Sequence, residues 1–231
     1  AAEYSYTQVA YDTEELQDIK NQMGTLSGIY RMTEKSYANL RGSYGISEDD
    51  ALSDPAESYI LSAGFGTHAV EKFTFAADAG WMNYQRPSGP NGEDTDDDNT
   101  LYYNFNADWK PTDQITVQAG VRNGYSQSAQ YAGNAALNTQ VWLGMAYRAT
   151  ETVDLSWINT YRQDDYLDPV VDENGNESDE SDTGYGSHLR VTYTAPTRWL
   201  SVYGSAGYEK VESAGGDYDQ VRLSLGAHLQ Y

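Results

Sequence analysis

The stretch Asp219-Gln-Val-Arg-Leu-Ser-Leu-Gly-Ala-His-Leu-Gln-Tyr231 decides how this chain folds. Val221, Leu223, Leu225, Ala227, Leu229 and Tyr231 fall on one side of an extended strand. Gln220, Arg222, Ser224, Gly226, His228 and Gln230 fall on the other. Side chains alternate faces along a strand, so this segment is apolar on one side and polar or small on the other. A soluble sandwich and a membrane barrel both accommodate such a strand. They differ in which face looks inward, and the rest of the chain decides that.

Working outward, the same alternation recurs upstream. Apolar faces read as Ala38, Leu40, Tyr44, Ile46, then as Tyr59, Leu61, Ala63, Phe65, then as Phe73, Phe75, Ala77, Ala79, Trp81. Leu101 to Trp109, Ile115 to Val121, Val141 to Tyr147, Val153 to Tyr161, Leu189 to Tyr193 and Leu200 to Tyr208 repeat it. Near the start, Tyr4 to Tyr11 reads as a strand whose facing the residues leave open. Asp12 to Met23 is acidic and has room for a helical turn, and Thr25 to Met32 reads as the next strand. Connections alternate between short turns and long acidic stretches such as Pro-Ser-Gly-Pro-Asn-Gly-Glu-Asp-Thr-Asp-Asp-Asp-Asn and Asp-Glu-Asn-Gly-Asn-Glu-Ser-Asp-Glu-Ser-Asp. The strand count is about twelve, and an even count places both termini at the short-turn end.

Composition narrows the class. The 231 residues suit one all-β domain covering 1–231, and nothing marks a second. No run is apolar enough for a spanning helix, which leaves a barrel open because alternating strands escape hydropathy averaging. Lys and Arg total 14 against 35 Asp and Glu, a formal charge of −21, so nucleic acid is excluded as an expected partner. Without cysteine there is no disulfide and no thiolate site. The Ala-Ala-Glu start fits removal of a secretory signal at a small-residue site.

The polar face settles the inversion. A soluble sandwich would expose a face rich in Lys and Glu, whereas this face is Gly, Ser, Thr, Asn, Gln and Arg. Small hydrogen-bonding residues suit a confined interior, and most of the acid lies in the connections. On the apolar face, Phe73, Trp109, Tyr147, Tyr193 and Tyr231 lie toward the short turns, and Tyr59, Trp81, Tyr161 and Tyr208 toward the long loops. Aromatic rings gather at both membrane interfaces because each has an apolar body and usually a polar tip. The run from Phe73 to Trp81 is roughly 26 Å along a strand. Tilted by about 40°, it covers roughly 20 Å of the membrane normal, close to the apolar band of a barrel.

With this alternation, this loop order and a last strand Val-Arg-Leu-Ser-Leu-Gly-Ala-His-Leu-Gln-Tyr ending in an aromatic, the chain resembles the bacterial outer-membrane β-barrels of the porin-like class. Tyr231 stands where Phe is the commoner last residue. The resemblance implies a closed antiparallel up-and-down transmembrane barrel with short periplasmic turns, long acidic extracellular loops and periplasmic termini. It implies contact with outer-membrane lipid and lipopolysaccharide, and with the barrel-assembly machinery during biogenesis, which reads such a last strand. No motif selects one family.

The interior chemistry follows from that arrangement. Arg41, Arg122, Arg148, Arg162, Arg190 and Arg222, with Arg31, are expected on the inward face against Asp78, Asp108 and Asp154. Charged ladders set pore selectivity, so the function expected is a small passive diffusion channel favouring anionic solutes. The alternative is an occluded barrel, its arginines paired and Tyr102, Trp142 and Tyr203 filling space, whose acidic loops meet lipopolysaccharide, a phage or a partner protein. Arg148 and Asp154 flank one tight turn and are expected to pair.

No enzyme is expected. Ser187 and His188 are strand neighbours pointing to opposite faces, so they cannot form a nucleophile–base pair. His68, His188 and His228 share the inward face without metal-ligand spacing, so no cofactor and no resident metal are expected. Hard cations favour oxygen ligands, which leaves Ca2+ or Mg2+ loosely held at the acidic loops as an expectation. The segment Asp172 to Asn176 is similar to a calcium loop but has Glu177 where glycine is required and Thr183 where the closing acid is required. Ser126 to Asn138 is uncharged and is a candidate constriction folding into the barrel.

Overall fold

A computed structural model describes the chain except for residues 10–18, 50–54, 86–96, 128–134, 168–169, 172–176, 179–180, 198, 214–215 and 230–231. The Asp172–Asn176 segment and Tyr231 therefore lie outside the described residues. The strands are β1 (Ala2–Val9), β2 (Ile19–Arg31), β3 (Ser36–Asp49), β4 (Ala56–Val70), β5 (Phe73–Gln85), β6 (Asp98–Trp109), β7 (Ile115–Gln127), β8 (Ala135–Arg148), β9 (Val153–Tyr166), β10 (Val170–Val171), β11 (Glu177–Ser178), β12 (Ser181–Thr194), β13 (Leu200–Glu212) and β14 (Tyr218–Leu229). Twelve of them form one antiparallel sheet in chain order, while β10 and β11 pair only with each other. No helix lies among the described residues. The fold is all-β and up-and-down.

Register carries the alternation from strand to strand. Leu26, Gly42, Leu61, Trp81 and Leu101 pair in succession, so their side chains share one face. Ser27, Arg41, Ser62, Gly80 and Tyr102, one residue along, share the other. The apolar face is uncovered: Leu61 is 56% exposed, Leu101 62%, Trp109 50% and Leu223 78%. On the polar face Met82 is 0% exposed, Ser62 2% and Asp78 9%. A curled sheet shelters the side chains of its inner surface, so the polar face lies within the curl. Phe75 is half-buried only by its own neighbours, with ring centroids 5.8 Å from Phe65, 5.9 Å from Phe73 and 6.4 Å from Phe105.

Several boundaries differ from the sequence reading. The second strand begins at Ile19, not Thr25, so Ile19 to Met23 is extended rather than a helical turn. Its apolar-side positions there are Lys20 and Gln22, whose polarity hid the strand. The first strand is Ala2–Val9, and the pairing of Tyr4 with Gly24 puts Tyr4 on the apolar face beside Leu26. His68 to Lys72 reads in sequence as a turn, but β4 continues through His68 to Val70, with a bulge between Thr67 and Val70. Gln163 to Gly186 reads in sequence as the longest loop, but both its ends are strand, since β9 runs on to Tyr166 and β12 starts at Ser181.

The expected closed cylinder is the main difference. Among the described pairings, β1 pairs only with β2 and β14 only with β13, so the sheet is open. β1 has 8 residues and starts opposite Leu26 rather than at the end of β2, whereas β14 has 12, so the two edges differ in length.

Candidate functional site

The strands bring the expected charged residues to the polar face, where they take three kinds of surroundings. The first is pairing. Arg148 Nε lies 3.6 Å from Asp154 Oδ1 across the β8–β9 turn, both side chains more than half exposed. Exposed pairs of this kind contribute little stability. Arg162 Nε lies 2.9 Å from Asp164 Oδ2, and Asp164 also accepts from Asn138 Nδ2. Asp78 accepts from Asn39 Nδ2 at 2.6 Å, and Asp108 from Gln118 Nε2 at 2.9 Å.

The second is stacking. Arg190 lies over the Tyr203 ring, 3.8 Å from its centroid, a cation–π geometry. Tyr203 in turn covers Gly226, where a Cβ would come 2.5 Å from the ring. Arg122 donates to Gln140 Oε1 at 3.0 Å and stands 6.0 Å from the Trp142 ring, which covers Gly120. Tyr37 covers Gly66 in the same way. The third is neither: among the described residues, no hydrogen bond or ion pair engages Arg41 or Arg222. Each lines a cavity, of about 260 Å³ with Thr25, Ser43 and Tyr102 for Arg41 and about 360 Å³ for Arg222.

The sequence reading missed acids on this face. Register places Glu3, Asp98, Asp164, Asp182 and Glu209 on it. Asp182 accepts from Tyr166 Oη at 2.7 Å, and Glu209 from Gln220 Nε2 at 2.8 Å. Asp98, Asp164 and Asp182 sit at strand ends near the long connections, beyond where strands were expected to run. The alternation simply continues through them.

The aromatic residues Phe73, Trp81, Trp109, Tyr147, Tyr161, Tyr193 and Tyr208 all fall on the apolar face by register. Trp81, Trp109, Tyr193 and Tyr208 are exposed there. Tyr59 donates to Glu57 and stacks on Tyr44 at 5.0 Å. His188 and His228 lie on the polar face, opposite Gly207 and Ser201, and His68 sits at the β4 bulge. No metal-ligand cluster occurs among the described residues.

One feature of the wall was not foreseen. The β6–β7 ladder stops at Asn104–Arg122, although β6 extends to Asp98 and β7 to Gln127. Beyond the stop, Asn123 Oδ1 accepts from Tyr103 N at 2.7 Å and its Nδ2 donates to Leu101 O at 2.6 Å. The carboxamide, 7% exposed, thus stands in for a strand. β7 peels inward past this point. Tyr125, which continues the apolar face of β7, brings its ring 5.1 Å from Tyr84 on the polar face of β5. Ala56, Ala135 and Leu167 complete that cluster. The described ends of the Ser126–Asn138 segment prolong β7 and β8, and residues 128–134 lie outside the description.

Comparison with known proteins agrees on the fold. No family model matches the chain, and no curated protein is similar to it in sequence. Among solved structures it is similar to the FrpB iron transporter from Neisseria meningitidis, with a TM-score of 0.63 for the F5-1 variant and 0.58 for the F3-3 variant. Identities are 10% and 11%, and each match covers 85% of this chain but only 37% and 36% of FrpB. A loop-deletion mutant of OmpT, an outer membrane protein of Vibrio cholerae, matches over 98% of this chain and 96% of its own at a TM-score of 0.46 and 9% identity. The chain has the fold of the outer-membrane β-barrel proteins. It spans about a third of the length of FrpB.

Proposed function

We propose that this chain forms a closed barrel in the bacterial outer membrane and serves as a small passive diffusion channel for anionic solutes. The observation carrying this reading is that Arg41 and Arg222 stand on the polar face with no ion pair among the described residues, Arg41 half-buried in a cavity it shares with Glu3 and Arg222 exposed. An uncommitted guanidinium in a pore attracts anions, whereas a paired one does not. Closure is supported by the bilayer itself, because unpaired backbone on β1 and β14 is untenable in hydrocarbon. The short connections and both termini then face the periplasm, and the acidic connections surround the outer mouth. Outer-membrane lipid, lipopolysaccharide and the barrel-assembly machinery are the partners of this reading, with Ca2+ or Mg2+ loosely held by the acidic mouth and no catalytic role.

A second reading has its own support. The cluster of Ala56, Tyr84, Tyr125 and Ala135 draws the tops of β7 and β8 across the polar face, next to the buried Met82. An occluded barrel with a structural or surface-contact role fits that narrowing. Planar-bilayer recording separates the two. The channel reading expects stable ionic steps whose anion preference falls in Arg41→Ala. Silence after verified insertion contradicts it and leaves the occluded barrel.

A further inference from the structure

We infer that the cavity over Gly207 is a binding subsite for a small monocarboxylate with an apolar tail. This rests on the channel reading for the ligand's route, though the site's chemistry stands on its own residues. Ile158, His188, Gly207 and Arg222 pair in succession across β9, β12, β13 and β14. They line one cavity of about 360 Å³ on the polar face. At a strand spacing of about 4.8 Å, the Ile158 and Arg222 backbones stand about 14 Å apart.

The row is graded. Arg222 supplies a planar guanidinium with two parallel donors, which matches a carboxylate, and no described side chain consumes it. Gly207 leaves the floor open beside it, and a Cβ there would meet His188 Cδ2 at 3.1 Å. Ser205 and Ser224 lie one row along and share a single hydrogen bond, so one hydroxyl hydrogen stays free to donate. Ile158, apolar on a polar face and 37% exposed, lines the far end. A hydrocarbon tail directed there leaves water while the carboxylate stays paired.

Charge decides against polyanions. Glu209, held by Gln220 Nε2 at 2.8 Å, occupies the row on the other side of Gly207. A carboxylate one row from Arg222 repels a ligand carrying two negative charges more than a ligand carrying one. Phosphate, needing several donors on all sides, meets an isoleucine at one end and a glutamate above.

Calorimetric titration of the refolded full chain with hexanoate, acetate, hexanol and inorganic phosphate tests the assignment. Hexanoate is expected to bind at least tenfold more tightly than acetate, hexanol or phosphate. Arg222→Gln weakens hexanoate at least tenfold, and Ile158→Asn brings hexanoate down to the acetate value while leaving acetate unchanged. Both variants must retain the strand circular dichroism of the parent. Hexanoate affinity unchanged in Arg222→Gln, or phosphate binding as tightly as hexanoate, overturns the proposal. Binding retained by a protein that is silent in bilayers upholds the subsite and removes the channel. A conducting protein that does not bind hexanoate removes the subsite alone.

Discussion

At Asn123 a single carboxamide does what a neighbouring strand does elsewhere, satisfying Tyr103 N and Leu101 O where β6 and β7 part. Both partners are backbone groups within the large sheet, and leaving them unmet costs the full desolvation of each. Asn123→Ala is therefore expected to lower unfolding stability by about 2 kcal/mol, measured by urea titration in lipid vesicles. No loss would mean that the wall closes by itself. The glycines under rings make a second residue-scale prediction. At Gly120 a Cβ would lie 2.1 Å from the Trp142 ring, so Gly120→Val is expected to cost about 1–3 kcal/mol through overpacking. Adding Trp142→Ala should recover part of that loss, a coupling that a double-mutant cycle reads directly. None of these contacts was legible in the sequence. A glycine on a polar face gives no sign of which ring across the sheet will cover it, and an Asn that replaces a ladder looks like any other polar strand residue.

Strands were legible where their two faces meet different surroundings. β14 and β5 announce themselves because Leu223 or Phe75 must differ from Ser224 or Thr74 when one side meets apolar surroundings. The signal fails where a strand rises beyond that zone. Lys20 and Gln22 in β2, and Gln163 and Asp165 in β9, are polar on what is elsewhere the apolar side, so in sequence the start of β2 looks like a helical turn and the end of β9 like a loop. The same failure concealed Asp164 and Asp182, and with them the acid that offsets part of the arginine ladder. Neighbouring positions on one strand test the faces. Val191→Arg is expected to cost about 2–4 kcal/mol near the bilayer midplane, and Thr192→Arg, on the other side, less than about 1 kcal/mol. Equal costs in the same vesicle titration would contradict the assignment of sides.

For the whole molecule, the open question is the seam. β1 and β14 are the only strands of the large sheet with one partner among the described pairings, and in a membrane that state does not persist. Parity requires the polar-side Ser5 to approach a polar-side residue of β14 on closure, one of Gln220, Arg222, Ser224, Gly226 or His228. Ser5→Cys combined with cysteine at each of these in turn is expected to give one intramolecular disulfide after oxidation in membranes. Crosslinks found only between molecules would instead mean that the edges join different copies. Beneath closure and transport lies the orientation of the two faces. Nitroxide labels placed one at a time from Gln140 to Tyr147 on β8, with accessibility to oxygen and to a soluble nickel complex in vesicles, test it most directly. Oxygen access should peak at Val141, Leu143, Met145 and Tyr147 and nickel access at the positions between. The opposite phase, or no alternation at all, would contradict it.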